Sequence, residues 1–250
     1  MNARGSLGRF LRTIVFTICA GVAVSAPGAA VEPVWSLAQR EKPALLETLK
    51  ELVAIESGSH DIEGLDRMAA VIAGRLKALG GKVELIEPGA DAERVAGAPD
   101  KFGKMVQATF TGAGTKKILL IAHMDTVYPR GMGAGQPFRI DGDRAYGLGI
   151  ADDRHGIAVI LHTLAILKAT NFRDYGTLTV LINGDEEIGS PASRARIIRL
   201  GSTHDAVMSF EGGGFAADRL LLATSGIGVA ILTVRGRASD RKSTRLNSSH

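Results

Sequence analysis

The chain has 250 residues, room for one large α/β domain or two modest ones. With 45% hydrophobic and 22% charged residues it can bury a core, and its single cysteine, Cys19, excludes a disulfide framework or a cysteine-built metal site. The formal charge of +4 does not point to nucleic acid. Arg4, Arg9 and Arg12 at one end, and Arg241, Lys242 and Arg245 against Asp240 at the other, exceed that surplus, so the body between them is slightly acidic.

Arg4, Arg9 and Arg12 precede an uncharged apolar run from Thr13 to Val24, and small residues follow from Ser25 to Ala30. That is the order of a secretory signal peptide, and the run is short of the ~20 residues a spanning helix needs. Residues 1–30 are therefore expected to be cleaved after Ala30, because a cut after Ala26 would leave Pro27 beside the scissile bond. A secreted or periplasmic location follows, with no stable membrane span in the mature chain. Cys19 follows Thr17-Ile18 rather than the small residue a lipoprotein signal uses.

Beyond that segment, Leu45, Leu46, Leu49, Leu52 and Val53 recur at helical spacing and predict a helix over Trp35 to Ala54. A second helix spans Leu65 to Leu79 and stops at Gly80-Gly81. Lys82 to Ile86 alternates as a strand, and Glu87 to Gly103 reads as a loop. Strands follow at Met105 to Thr111 and Lys117 to Ala122. Ile157, Ile160, Leu161, Leu164 and Leu167 mark a helix starting near Asp152. Thr177 to Asn183 is a buried strand by its unbroken apolar run. Ser190 to Leu200 reads as a helix, Ala206 to Phe210 as a strand, and Leu220 to Arg235 as two more strands. The fold class is α/β, a mostly parallel sheet with helices on both faces.

In such sheets ligand chemistry gathers beyond the carboxyl ends of the strands. One strand runs into His123-Met124-Asp125, another through Gly184 into Asp185-Glu186-Glu187, and a third into Glu211. The pair Asp152-Asp153 opens the Ile157 helix. Carboxylates brought so close would raise one another's pKa unless a cation compensates. One imidazole with several carboxylates suits zinc, cobalt or manganese better than magnesium. Each piece has a duller reading. Asp152-Asp153 could cap a helix, Asp185-Glu186-Glu187 could complement a helix dipole, His123 could be a packed histidine and Glu211 a turn residue. Three strands ending together in metal-type side chains are harder to explain that way. Gly147-Leu148-Gly149 begins like a dinucleotide fingerprint, but Asp152 stands where its third glycine would be and would repel a pyrophosphate. No Gly-x-Ser-x-Gly elbow occurs. His60, His162 and His204 have no acidic neighbours in sequence and read as surface or packing residues, and His155 reads as a helix-surface residue.

The segments HMDTVY (123–128), YGLGIADDRHGIAVILHTL (146–164), LINGDEEIGS (181–190) and SFEGG (209–213) resemble the co-catalytic zinc exopeptidases. That family holds glutamate carboxypeptidases, aminoacylases, desuccinylases and di- and tripeptidases. The segments at 174–194 and 224–239 are most similar to the bacterial glutamate carboxypeptidases that act on folates. The resemblance implies two Zn2+ ions, with Co2+ or Mn2+ as alternatives. His123 and Glu211 would bind one zinc, Glu187 the other, and Asp152 both, with a cis peptide to Asp153. Asp125 would hold the His123 ring, and Glu186 would be the general base and acid of amide hydrolysis. The substrate would be a small peptide or N-acyl amino acid, and the full-length form a homodimer.

Three departures stand beside the resemblance. Arg154-His155 replaces the usual Lys-Gly, read here as a modest change on a helix face. Asp240 stands where the family has a substrate-polarising histidine, and residues 240–250 read as a non-native tail. The catalytic domain is expected over 31–224 and the first strand of a lid or dimerisation domain over 225–239. The later return to the sheet, with its zinc-ligating histidine, lies beyond these residues, so the 250-residue chain is expected to hold metal incompletely and to lack turnover. The alternatives are an aminoacylase or desuccinylase of the same family, and a non-catalytic metal- or ligand-binding α/β module.

Overall fold

The computed structural model describes residues 34–89, 92, 98–212, 220–223, 232, 235 and 236. The expected signal peptide and tail lie outside the described residues, as does the expected lid strand apart from isolated positions. Helix α1 (Val34–Val53) and helix α2 (Ile62–Ala78) come first. Asp61 caps α2, its Oδ1 accepting the Gly64 amide at 2.9 Å. Strands β1 (Lys82–Ile86), β2 (Met105–Thr111) and β3 (Lys117–His123) follow. Next are a small hairpin, β4 (Arg139–Asp141) and β5 (Arg144–Tyr146), and helix α3 (His155–Ala169). Strand β6 (Thr177–Asn183), helix α4 (Arg194–Gly201) and strand β7 (Ala206–Ser209) complete the described body.

The five-stranded sheet has the order β1-β2-β6-β3-β7. Strands β6, β3 and β7 run parallel, whereas β1–β2 and β2–β6 are antiparallel. The α/β class is as expected, but the sheet is evenly mixed rather than mostly parallel. Side chains alternate across it with the period of two that strands impose. Val106, Ala108, Phe110, Leu120, Ala122, Leu178, Val180 and Ile182 face α1, α2 and α3 and join Leu52, Leu65, Met68, Ile72, Leu76 and Ile157 in the main core. Met105, Leu119 and Leu181 point the other way, against Ile197 and Leu200 of α4. Helices thus cover both faces.

Local departures from expectation have local causes. The Ser190–Leu200 helix begins only at Arg194, because Glu186–Ile188 forms a 3-10 turn and Gly189 takes φ +87°. Residues Ile150–Arg154 form a π turn with non-helical Asp152 and Asp153, so regular α-helix starts at His155. The β4–β5 hairpin turns on Gly142 at φ +60°, the position such a two-residue turn reserves for glycine. Of the two strands expected over Leu220–Arg235, the described residues 220–223 are not in strand, and most of the rest lies outside the described residues. Among the described residues, no helix is long and apolar enough to cross a membrane.

Candidate metal centre

Strand β3 ends at His123, a buried residue whose Nε2 lies 2.8 Å from Oδ1 of Asp152. Its Nδ1 is 3.3 Å from Oδ1 of Asp125, close but not aligned as a hydrogen bond. Asp125 is fully buried and its carboxylate ties three segments together. Oδ1 accepts the Glu186 amide at 3.1 Å, and Oδ2 accepts the Glu187 amide at 3.1 Å and the Ser59 hydroxyl at 2.8 Å. One carboxylate therefore lies against the imidazole of β3 and fixes the turn after β6 that carries the two glutamates.

Asp152 reaches the site from the π turn, joined to Asp153 by a cis peptide bond. Ligand atoms of His123, Asp152 and Glu211 all lie within 4.8 Å of one another. Glu187 lies outside that triad. The buried Asp153 accepts the His123 amide through Oδ2 at 3.2 Å, while its Oδ1 has no hydrogen-bond partner among the described residues.

The electrostatics follow from crowding. Burial pushes the His123 imidazole down, but the carboxylates of Asp125, Asp153 and Glu186 together outweigh it and lift the imidazole to about 10. Burial raises Asp153 to about 7, opposed by His123. Glu187 is raised to about 7 by burial and then by Asp152. Glu186 is raised by burial, with His123 pulling it down and Glu211 pushing it up. The protein thus gathers carboxylates that resist ionisation beside an imidazole that holds its proton, as expected of a cation site read without its cation. One imidazole nitrogen and two carboxylate oxygens converging within 4.8 Å fit a divalent metal of zinc type.

All six sequence-predicted site residues thus fall at or beside one end of the sheet: His123, Asp152 and Glu211 form the triad, and Asp125 anchors the turn of Glu186 and Glu187. Asp185 matches the duller reading. It is buried, its Oδ2 accepts the amides of Ala192 and Ser193 at 2.6 and 3.0 Å, and it secures the start of α4. His162 packs between α3 and α1, with Nδ1 2.7 Å from Glu41 and Nε2 2.8 Å from Thr48. His204 packs against Thr179 at 2.9 Å. Arg154 corrects the sequence reading. Far from lying on a helix face, it is fully buried, because the π turn rotates it inward to donate to Met124 O, Ile55 O and Ser57 Oγ.

A cleft of about 750 Å³ opens beside Glu187, lined by Gly58, Ser59, His60, Val127, Tyr128 and Ile188 among others. Arg130 on its rim donates to Asp61 at 2.8 Å and to Glu63 at 2.9 Å, so its charge is already matched.

Comparison with known proteins agrees with this geometry. The sequence model of "Peptidase family M20/M25/M40" matches residues 119–222. Carboxypeptidase G2 of Pseudomonas sp. (strain RS-16) is 44% identical over 199 residues, covering 80% of this chain and 46% of the relative. A Beta-Ala-Xaa dipeptidase of Lactobacillus delbrueckii subsp. lactis is 30% identical over 155 residues, covering 60% of this chain and 31% of the relative. Among solved structures, human carnosine dipeptidase 1 shares the fold with a TM-score of 0.58 at 23% identity, over 70% of this chain and 40% of that one. The chain spans less than half the length of each of these relatives.

Proposed function

Residues 119–222 belong to peptidase family M20/M25/M40, and on that premise we propose that the chain carries the catalytic centre of an exported zinc-dependent exopeptidase. Its substrate is a small peptide or N-acyl amino acid, cut so as to release a C-terminal glutamate or similar residue. The likeness to a carboxypeptidase over 80% of the chain supports cleavage at the carboxyl end. The observation that carries the reading is the convergence of His123, Asp152 and Glu211.

His123, Asp152 and Glu211 would hold one zinc, and Asp152 and Glu187 would contribute to a second, with Co2+ or Mn2+ as alternatives. Bound zinc would supply Lewis-acid polarisation of the scissile carbonyl and a more acidic water. The remaining chemistry belongs to side chains. Asp125 orients His123 so that Nε2 faces the site. It also fixes the Glu186 and Glu187 amides, which gives two adjacent glutamates separate tasks. Burial raises Glu186, and a raised pKa suits a carboxylate that takes a proton from water and returns it to the departing amine. The cleft beside Glu187 offers room for a small substrate. In its full-length form the protein acts as a homodimer outside the cytoplasm.

The experiment has two arms. Zinc binding is measured by calorimetry on the purified chain. Hydrolysis of N-acyl glutamates is measured on the chain alone and on the chain fused to the C-terminal half of carboxypeptidase G2. Zinc binding together with chelator-sensitive glutamate release by the fusion supports the reading. Zinc binding without hydrolysis by either protein favours the non-catalytic module.

A further inference from the structure

Arg154 is among the largest fully buried side chains of the protein, and a buried guanidinium is costly unless its donors are used. Burial lowers its pKa to about 10, with Asp125 and Asp153 acting against that shift. Two nitrogens are spent on three acceptors from two segments. Nη1 donates to Met124 O at 2.5 Å, and Nη2 to Ser57 Oγ at 2.7 Å and Ile55 O at 3.2 Å. Its Nε has no acceptor, so the fork works through its tips alone.

The positions of those acceptors give the contact its meaning. Met124 lies between His123 and Asp125. Ser57 Oγ itself donates to Met124 O at 2.6 Å, and the backbone of 57–59 pairs with Thr126. Ser59, two residues on, donates to Asp125. Arg154 meanwhile follows Asp152 and Asp153 directly along the π turn. It therefore joins the segment that presents Asp152 to the segment that presents His123, with the loop from α1 as the third member.

We propose that Arg154 is a positioning residue, a buried tie that fixes the spacing of Asp152 and His123 and so tunes how tightly, and in what geometry, the centre holds its metal. This rests on the metal reading above and goes beyond it by assigning a role to a side chain that touches no ligand atom of the triad. A methionine at 154 fills the volume but takes the donor from Ile55 O and Ser57 Oγ and leaves Met124 O with the Ser57 hydroxyl alone. A lysine keeps the charge and donors but gathers them at one point, so it recovers part of the tie. Loss of a group that orients a ligand costs about 10–100-fold in metal affinity.

The test is Co2+ titration of the purified full chain, followed by the visible spectrum, which reports ligand geometry, alongside thermal melting. The variants are Arg154→Met, Arg154→Lys, Ser57→Ala and, as a control for lost stability remote from the site, Leu76→Ala. The expected result is affinity about 10–100-fold lower with an altered spectrum in Arg154→Met. Arg154→Lys should fall between it and the parent, and Leu76→Ala should melt lower with affinity and spectrum unchanged. A folded Arg154→Met chain with parental affinity and spectrum would overturn the proposal. Should Arg154→Met not fold, Ser57→Ala decides: a loss of about 2–10-fold supports the tie, and parental binding refutes it. Absence of Co2+ binding in the parent would overturn the metal reading itself and this inference with it, which separates the two failures.

Discussion

The Nε2 atom of His123 and the Oδ1 atom of Asp152 lie 2.8 Å apart, although 29 residues and the β4–β5 hairpin separate them in sequence. A hydrogen bond between them needs one shared proton, and a divalent cation held by both residues would take that proton's place, so metal, proton and fold stability would be linked at this contact.

Stability of the chelated protein should fall as pH rises. Asp153 and Glu187 are raised in the folded state to about 7, so folding binds extra protons there, and that stabilisation is lost as pH climbs from the ordinary carboxylate range through about 7. His123 adds to the same trend. Its folded pKa of about 10 exceeds the ordinary 6.5, so its contribution is full below 6.5 and lost as pH rises through 10. Melting temperatures of the chelated chain between pH 5 and pH 9 should decline, and zinc should reverse the decline. A melting temperature that rises over this range without metal would contradict the site electrostatics.

Substitutions at the ligands should separate two metal positions. His123→Ala should abolish tight binding at the first, and Glu211→Gln should weaken it by more than the roughly 10–100-fold of losses around a ligand. Glu187→Gln should leave the first position close to its parental affinity and remove the second. Calorimetric titration of each variant reads this directly. Equal losses at both positions from Glu187→Gln would merge them into one site.

Glu186→Gln keeps the shape of the turn and its amide bond to Asp125 but removes the titrating group. Zinc affinity should stay within about twofold, because the proposed function gives Glu186 the proton transfer and no place among the ligands. Hydrolysis by the fused protein should fall by about 10²–10⁴-fold. A Glu186→Gln fusion that retains activity would reassign the general base.

Asp185 should matter to the fold rather than to the chemistry. Asp185→Ala leaves the amides of Ala192 and Ser193 without their acceptor and should cost about 1–3 kcal/mol in urea unfolding. Zinc affinity should change far less than in His123→Ala. The opposite ordering would make Asp185 part of the centre.

The strands and the candidate site residues at their ends were legible in the sequence for one shared reason. Buried strands such as Thr177–Asn183 and Met105–Thr111 are unbroken apolar runs, and polar residues at their ends are conspicuous. His123, Glu186 and Glu187 could be picked out on that basis. Pairing direction was not legible, because an apolar run does not reveal whether its neighbour is parallel, and β2 joins β6 antiparallel. The short β4–β5 hairpin was missed because three-residue strands carry too little pattern, although Gly142-Asp143 is its turn signal. Arg154 was misread because helical spacing was extended back through Asp152, whereas the backbone there departs from the helix and turns the side chain inward.

The most direct test of the account is a crystal of the chain grown with zinc, with the anomalous signal measured at the zinc edge. The predicted result is a peak about 2.0–2.2 Å from His123 Nε2 and from carboxylate oxygens of Asp152 and Glu211. A map with no peak bounded by those three residues, or with zinc held only elsewhere on the surface, would contradict the assignment of this sheet edge as a metal centre.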